Sequence, residues 1–276
     1  MSTEPLLVLG CGFTGTAAAV SAFAVGRPVA ATVRTEGTAL RSLRTMGIDL
    51  VVAPSLTAAL VEPLADGADV LVTFPPDGVT DAVLAAVMRR ARSVVYLSST
   101  GVYGERVGRI DEDTPTDARE PKAAARLRAE GAWRDAGATA LRAAGIYGPG
   151  RGLHRRLIEG SYRVPGDGSR VVSRVHVDDL AAMALGCLAR GSQGECFVAA
   201  DDAPVPQGEV VRGLCGWLGL SPPASVALTD APETLRHDRA VINARVRAAT
   251  GLTLRYPSWR EGFAQCLTAE GVAFTR

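Results

Sequence analysis

Three glycines near the amino end carry the most specific chemistry in this chain. The stretch "LLVLGCGFTGTAAAV" sets Gly10, Gly12 and Gly15 in G-x-G-x-x-G spacing, after a strand pattern and before a helix pattern. In that setting Gly10 makes the tight turn, Gly12 lets a pyrophosphate approach the backbone, and Gly15 lets helix and strand pack closely. The helix N-terminus then offers free N–H groups and a partial positive charge to the phosphates. A dinucleotide site is therefore expected here, with Phe13 and Thr14 inside the turn. In "ATVRTEG" the next strand ends on Arg34 beside Thr35, where a guanidinium can pair with a 2′-phosphate. NADP is the cofactor this predicts, while Glu36, two residues on, leaves NAD open. Further along, Ser98, Ser99, Thr100 and Tyr103 share "LSSTGVYG", Tyr147 stands in "GIYGPG", and Lys122 and Arg126 are four residues apart in "EPKAAARLRAE". That last spacing places the two cations on one helix face.

These residues need a scaffold, and the apolar runs supply one. "LLVLG" (6–10), "VAATV" (29–33), "DLVVA" (49–53), "DVLVTF" (69–74), "SVVYLS" (93–98) and "ATALRA" (138–143) read as buried strands. Helical patterns, several closed by glycine, lie between them. The runs are continuous rather than alternating, as strands buried on both faces require. The expected fold is α/β, a Rossmann-type doubly wound parallel sheet with right-handed crossovers. Residues 1–150 read as the NAD(P)-binding domain, and 151–276 as a smaller substrate lobe packed on it, some of whose segments can return to the first part. Gly and Pro in "YGPGRG" and "RVPGDGS" mark the change of rhythm.

A chain of 276 residues, 47% hydrophobic, can bury a substantial core. Thirty basic and 29 acidic residues give a formal charge of +1, which calls for neither nucleic acid nor an anionic membrane as partner. The five cysteines are odd in number and widely spaced, without a C-x-x-C pair, and there are three histidines. That pattern points to buried, reduced thiols in a cytoplasmic protein rather than to a metal site. No segment approaches ~20 uninterrupted apolar residues, and the amino end does not read as a signal peptide.

On "GCGFTG", "VVYLSSTGVYG" (94–104), "LRAAGIYGPGRG" (141–152), "SRVHVDDLA" (173–181) and, more weakly, "RYPSWREGF" (255–263), the chain resembles the extended short-chain dehydrogenase/reductase superfamily, also called the NAD-dependent epimerase/dehydratase family. Within it, the chain looks most like the atypical YeeZ-like members, whose "PP" matches "TFPPDG" at 73–78. The resemblance implies that Thr73, Phe74 and Pro75 lie beside the cofactor, as do Ser98 and Ile146. It implies that Ser99 hydrogen-bonds the substrate's reacting oxygen. Thr100 stands where dehydratases carry an acid, so a sugar-dehydratase mechanism loses support. Ser55 replaces the aspartate that commonly meets adenine after the third strand. The family's tyrosine and lysine occupy positions i and i+4 of a helix; alignment on Glu130 puts Lys122 on the tyrosine and Arg126 on the lysine. Arg126 can donate to ribose hydroxyls but cannot act as a base. Lys122 could donate a proton only with a depressed pKa. Tyr103 and Tyr147 are the phenols that could replace the absent one, each with packing as the alternative.

His176, with Asp178 and Asp179, reads as a corner that caps the next helix, and Arg151 and His154 as candidates to meet an anionic substrate. Three functions follow. An NADP(H)-dependent oxidoreductase would transfer hydride to a small-molecule carbonyl or imine, and an iminium substrate would need the missing proton donor least. The others are an NAD(P)-binding sensor or interaction protein without redox turnover, and a non-redox isomerase or cyclase on the same fold.

Overall fold

The computed structural model describes residues 3–276 apart from Glu36, Ser192, Gln193, Glu233 and Thr234. The first half alternates as the apolar runs require: β1 (Leu6–Leu9), α1 (Phe13–Ala24), β2 (Val29–Val33), α2 (Thr38–Met46), β3 (Asp49–Val52), α3 (Ala58–Ala65), β4 (Asp69–Val72), α4 (Thr80–Ala85) and β5 (Ser93–Ser99). After a 3₁₀ turn over Thr100–Tyr103 come β6 (Gly108–Ile110), α5 (Pro121–Asp135), β7 (Thr139–Ala143) and β8 (Gly145–Tyr147). Pro121 starts α5, where its missing N–H costs nothing. Gly47, at φ 103°, ends α2 in the left-handed conformation that a side chain would resist.

The remaining chain is more broken. It runs α6 (Leu153–Ile158), β9 (Val164–Pro165), β10 (Val171–Val172), β11 (Arg174–His176), α7 (Val177–Arg190), β12 (Cys196–Ala199), β13 (Val205–Pro206), α8 (Gln207–Leu218), β14 (Ser225–Val226), β15 (Arg239–Val241), α9 (Ala244–Thr250) and α10 (Trp259–Ala269). Six strands were expected in the main sheet; it has seven, in the order β12-β7-β5-β4-β1-β2-β3, every pair parallel. The seventh, β12, comes from beyond residue 150 and pairs with β7. A segment from the 151–276 region is thus part of the main sheet.

One face of the sheet is covered by α1, α2 and α7, whose Ala18, Ala22, Leu43, Leu180 and Ala184 are buried. The other is covered by α3, α4 and α5 through Val61, Leu84, Ala129 and Trp133. A separate core joins α6, α8 and α10 through Leu157, Leu214, Trp259 and Phe263. All five cysteines are free thiols, four of them buried and Cys196 half-buried. Among the described residues no helix is long and apolar enough to cross a membrane.

Candidate active site

The parallel sheet and the glycine turn leave a cleft of about 990 Å³ at the carboxyl ends of the central strands, where open α/β sheets bind ligands. Gly12, Phe13 and Thr14 form one wall, with Thr73 and Pro75 beside them and Leu97 to Thr100 at the tip of β5. Ile146 and Tyr147 continue the wall, and α6 with the β10–β11 segment completes it.

The turn is held open for a phosphate. Gly10 has φ +87°, and a Cβ there would lie 2.8 Å from Phe74 Cβ and 2.9 Å from the Phe74 nitrogen. Gly15 is hemmed in by Gly10 O, Thr73 Oγ1 and Val8 Cγ1, each 3.0 Å from a built Cβ. Gly12 differs: a Cβ would meet nothing nearer than Gly10 O at 4.0 Å. That open space lies at the N-terminus of α1, which no side chain caps. The residues present thus fit the pyrophosphate of a dinucleotide. Thr73 steadies the turn by donating to Gly10 O at 2.5 Å.

At the tip of β5, Ser99 accepts a hydrogen bond from the Gly101 N–H at 3.1 Å, leaving its own proton available to the cleft. Thr100 is half-buried beside it. Arg126 reaches this place from α5, donating to Tyr96 Oη at 3.3 Å and to Leu97 O at 3.4 Å. A fixed cation therefore occupies the position that the resemblance gives to lysine.

The geometry corrects several expectations. Lys122 lies in the exposed first turn of α5, outside the cleft lining, because the helix starts only at Pro121 and points that turn into solvent. Tyr103 is fully buried: its hydroxyl donates to Asp111 O at 2.8 Å and accepts from Arg142 Nη1 at 3.0 Å. Burial pushes this phenol up to about 12. Tyr147 does line the cleft, but its hydroxyl is turned into the smaller core, so close to α10 that a Cβ on Gly262 would collide with it. Its ring packs against His176 and Phe263, and burial holds its pKa far above the usual phenol range. Neither phenol can stand in for the missing tyrosine. Ser98 donates to Glu130 Oε2 at 2.7 Å and is tied into the core. Phe74 braces Gly10 rather than lining the cleft. Arg34, Thr35 and Ser55 are exposed just past β2 and β3, also outside that lining, and Glu36 lies outside the described residues.

His176 caps α7, accepting from the Asp178 N–H, and Asp179 accepts from the N–H groups of Arg255 and Tyr256 at 2.8 Å each. His154 is buried, its Nε2 2.6 Å from Glu270 Oε1, and only Arg151 of that pair reaches the cleft.

Two arginines that no local sequence pattern marks, Arg239 and Arg174, define the rest of the site. Arg239 lines the cleft and donates to the carbonyls of Thr100 at 2.6 Å, Arg106 at 3.0 Å and Gly104, so it fixes the turn that carries Ser99 and Thr100. It also donates to His237 Nδ1 at 2.8 Å, in the cleft wall. Arg174 also lines the cleft and donates to Val172 O at 3.0 Å and to Gln207 Oε1. Behind it, Asp201 is buried with Oδ2 unpartnered, and burial raises its pKa to about 8 despite the nearby Arg174 charge. The folded state thus retains this proton over a range where the unfolded chain has lost it. Stability drawn from the protonated form falls as pH rises from about 4, the unfolded value, through about 8. Asp201→Asn, neutral throughout, should melt above the parent at pH 8 and much closer to it at pH 4; thermal denaturation at both values checks this.

Comparison with known proteins gives a family match over part of the chain. Residues 76–200 match the NAD dependent epimerase/dehydratase family. Over 206 residues, spanning 66% of each chain, the protein is 32% identical to a 3-diazoavenalumate denitrifying reductase of a Streptomyces species. A conserved Silicibacter pomeroyi DSS protein of unknown function has the same fold, with TM-score 0.84, 29% identity and coverage of 99% of this chain and 100% of that one. MoeE5 in complex with UDP-glucose and NAD follows with TM-score 0.80, 21% identity and coverage of 97% and 98%. The solved structures correct the expectation of NADP: MoeE5 and further proteins of this fold, among them a dTDP-glucose 4,6-dehydratase of Bacillus anthracis, hold NAD. The exposed guanidinium of Arg34 is accordingly read as a solvated strand-end charge.

Proposed function

We propose that this chain is a member of the NAD-dependent epimerase/dehydratase superfamily and an NADH-dependent reductase of small molecules whose reacting carbon already bears positive charge. Among superfamily members, the "PPDG" loop favours a place beside the YeeZ-like ones. The observation that carries the reading is the reactive end of the cleft. It presents the Ser99 hydroxyl and the Arg126 guanidinium, while the side chains of Tyr96, Tyr103 and Tyr147 are buried and Lys122 stands outside.

Gly12, Phe13 and Thr14 would hold the coenzyme's pyrophosphate, and Arg126 its nicotinamide ribose. The bound NADH supplies a hydride. A ketone accepting that hydride becomes an alkoxide and needs a proton from an acid; a positioned donor is worth typically 10²–10⁴-fold. An iminium carbon needs none, because reduction discharges it. An arenediazonium ion needs none either: ArN₂⁺ and hydride give ArH and N₂, with the C–N pair leaving in the nitrogen. The curated relative's name, a denitrifying reductase of a diazo compound, supports the second case. Ser99 and Arg239 would then orient the acceptor and hold its loop rigid rather than exchange protons.

NADH consumption on a cyclic iminium salt, an arenediazonium salt and a matched ketone tests this. The first two should turn over at least about tenfold faster than the ketone. Lys122→Ala should leave those rates unchanged, and Arg126→Gln should raise the KM for NADH. Equal or faster turnover of the ketone would overturn the reading.

A further inference from the structure

The wall of the cleft contains an arrangement that the hydride chemistry does not use. Arg174 is 6% exposed, and among the described residues no carboxylate lies within ion-pair distance of it. Its hydrogen bonds to Val172 O and Gln207 Oε1 occupy two of its five N–H donors. Gln207 in turn donates to Tyr162 Oη at 2.5 Å. The guanidinium carbon of Arg156 lies 4.8 Å from the centre of the Tyr162 ring. Arg156, Gln207 and Arg174 all line the cleft. Two cations are therefore linked through Tyr162 and Gln207 into one rigid strip of wall, and neither has a carboxylate partner among the described residues.

A buried guanidinium without a counter-ion is costly to keep. The surroundings do not relieve it: Asp201, the nearest influence of opposite sign, is itself driven toward its neutral form, and burial pulls the Arg174 pKa down. Neighbouring Arg155 is spoken for, pairing with Glu159 at 3.2 Å and Glu270 at 3.3 Å. A strip of this charge, facing the cleft, suits an anion.

We infer that Arg174 and Arg156, held by Gln207 and Tyr162, form a receptor for an oxyanion of the substrate in the wall of this cleft. This rests on the reading of the cleft as a small-molecule site. Guanidinium forks bind carboxylates and phosphates alike, so the oxyanion is a carboxylate of an organic acid or the diphosphate of a nucleotide.

Calorimetric titration of the NAD⁺-loaded protein separates these. Cinnamate, cinnamamide and UDP are the probes, on the parent chain and on Arg174→Gln and Arg156→Ala. A carboxylate receptor binds cinnamate at least tenfold more tightly than cinnamamide; a diphosphate receptor binds UDP more tightly than cinnamate. In either case both variants weaken the anion at least tenfold, leave cinnamamide unchanged and leave NAD⁺ affinity unchanged. The second variant changes a half-exposed side chain, so the fold is kept if Arg174→Gln proves unstable. Failure of both anions to bind, or binding indifferent to both arginines, would overturn the receptor while NAD⁺ binding still stood. Loss of NAD⁺ binding by the parent chain would instead overturn the function from which it proceeds.

Discussion

Gly10→Ala is expected to lose both nicotinamide-coenzyme binding and a large part of the protein's stability, whereas Gly12→Ala should lose the first and keep the second. At Gly10 the backbone is left-handed, with φ +87°, and a methyl group would press on Phe74 Cβ and the Phe74 nitrogen at 2.8–2.9 Å. Left-handed backbone costs a non-glycine residue roughly 1–2 kcal/mol, and overpacking about 1–3 more. A destabilisation of about 2–5 kcal/mol follows, and displacement of the turn by an ångström would weaken coenzyme function on the order of 100-fold. Gly12 has φ −90° and open space where its methyl would go. That methyl would intrude on the pyrophosphate's position without disturbing the packing. Urea denaturation together with NAD⁺ titration of the two variants distinguishes the roles.

Arg142→Met should be among the most destabilising single changes in the sheet. Arg142 sits in β7, 5% exposed, and forks onto Glu130, 2% exposed, with Nη2 to Oε1 at 2.6 Å. Nε also donates to both carboxylate oxygens, at 3.1 and 3.2 Å, and Nη1 donates to Tyr103 Oη. Removing the cation would leave Glu130 buried with only Ser98 to satisfy it. Breaking one side of a buried pair costs about 3–5 kcal/mol, while replacing both sides with apolar groups often costs far less. The double variant Arg142→Met/Glu130→Leu should therefore be more stable than Arg142→Met alone. A shift of the urea midpoint at constant slope would report this directly. The same network anchors β5 to α5, so the single change should also loosen the tip that carries Ser99.

The scaffold was legible because its strands are buried on both faces and so appear as uninterrupted apolar runs. Val29–Val33 matches its run residue for residue, and β5 extends its run by only one residue. The phosphate turn was legible because three glycines at fixed spacing are a backbone requirement visible in the sequence. What the sequence obscured were interactions between distant segments. Arg142 within "ATALRA" signals that a buried strand needs a carboxylate, but only the fold brings Glu130 to it. Arg174, Gln207 and Tyr162 are separated by 33 and 45 residues, and nothing local announces their alliance. The "VYG" and "IYG" turns look alike, yet Tyr103 faces the core beside β7 while Tyr147 faces α10. Spacing determined that Lys122 and Arg126 share a helix face; it could not show that the helix starts too late to bring Lys122 into the cleft.

On the proposed function, this cleft directs hydride from NADH to a cationic carbon without help from a protein acid. The most direct test is a single turnover of 4-diazoniobenzoate with NADH carrying deuterium at C4, in ordinary water, measured against a protein-free control. The benzoate formed should carry deuterium at the ring carbon that lost N₂, at a rate unchanged by Lys122→Ala. Benzoate whose new hydrogen comes from solvent, or NADH consumption no faster than in the control, would show that the cleft does not direct hydride to this carbon.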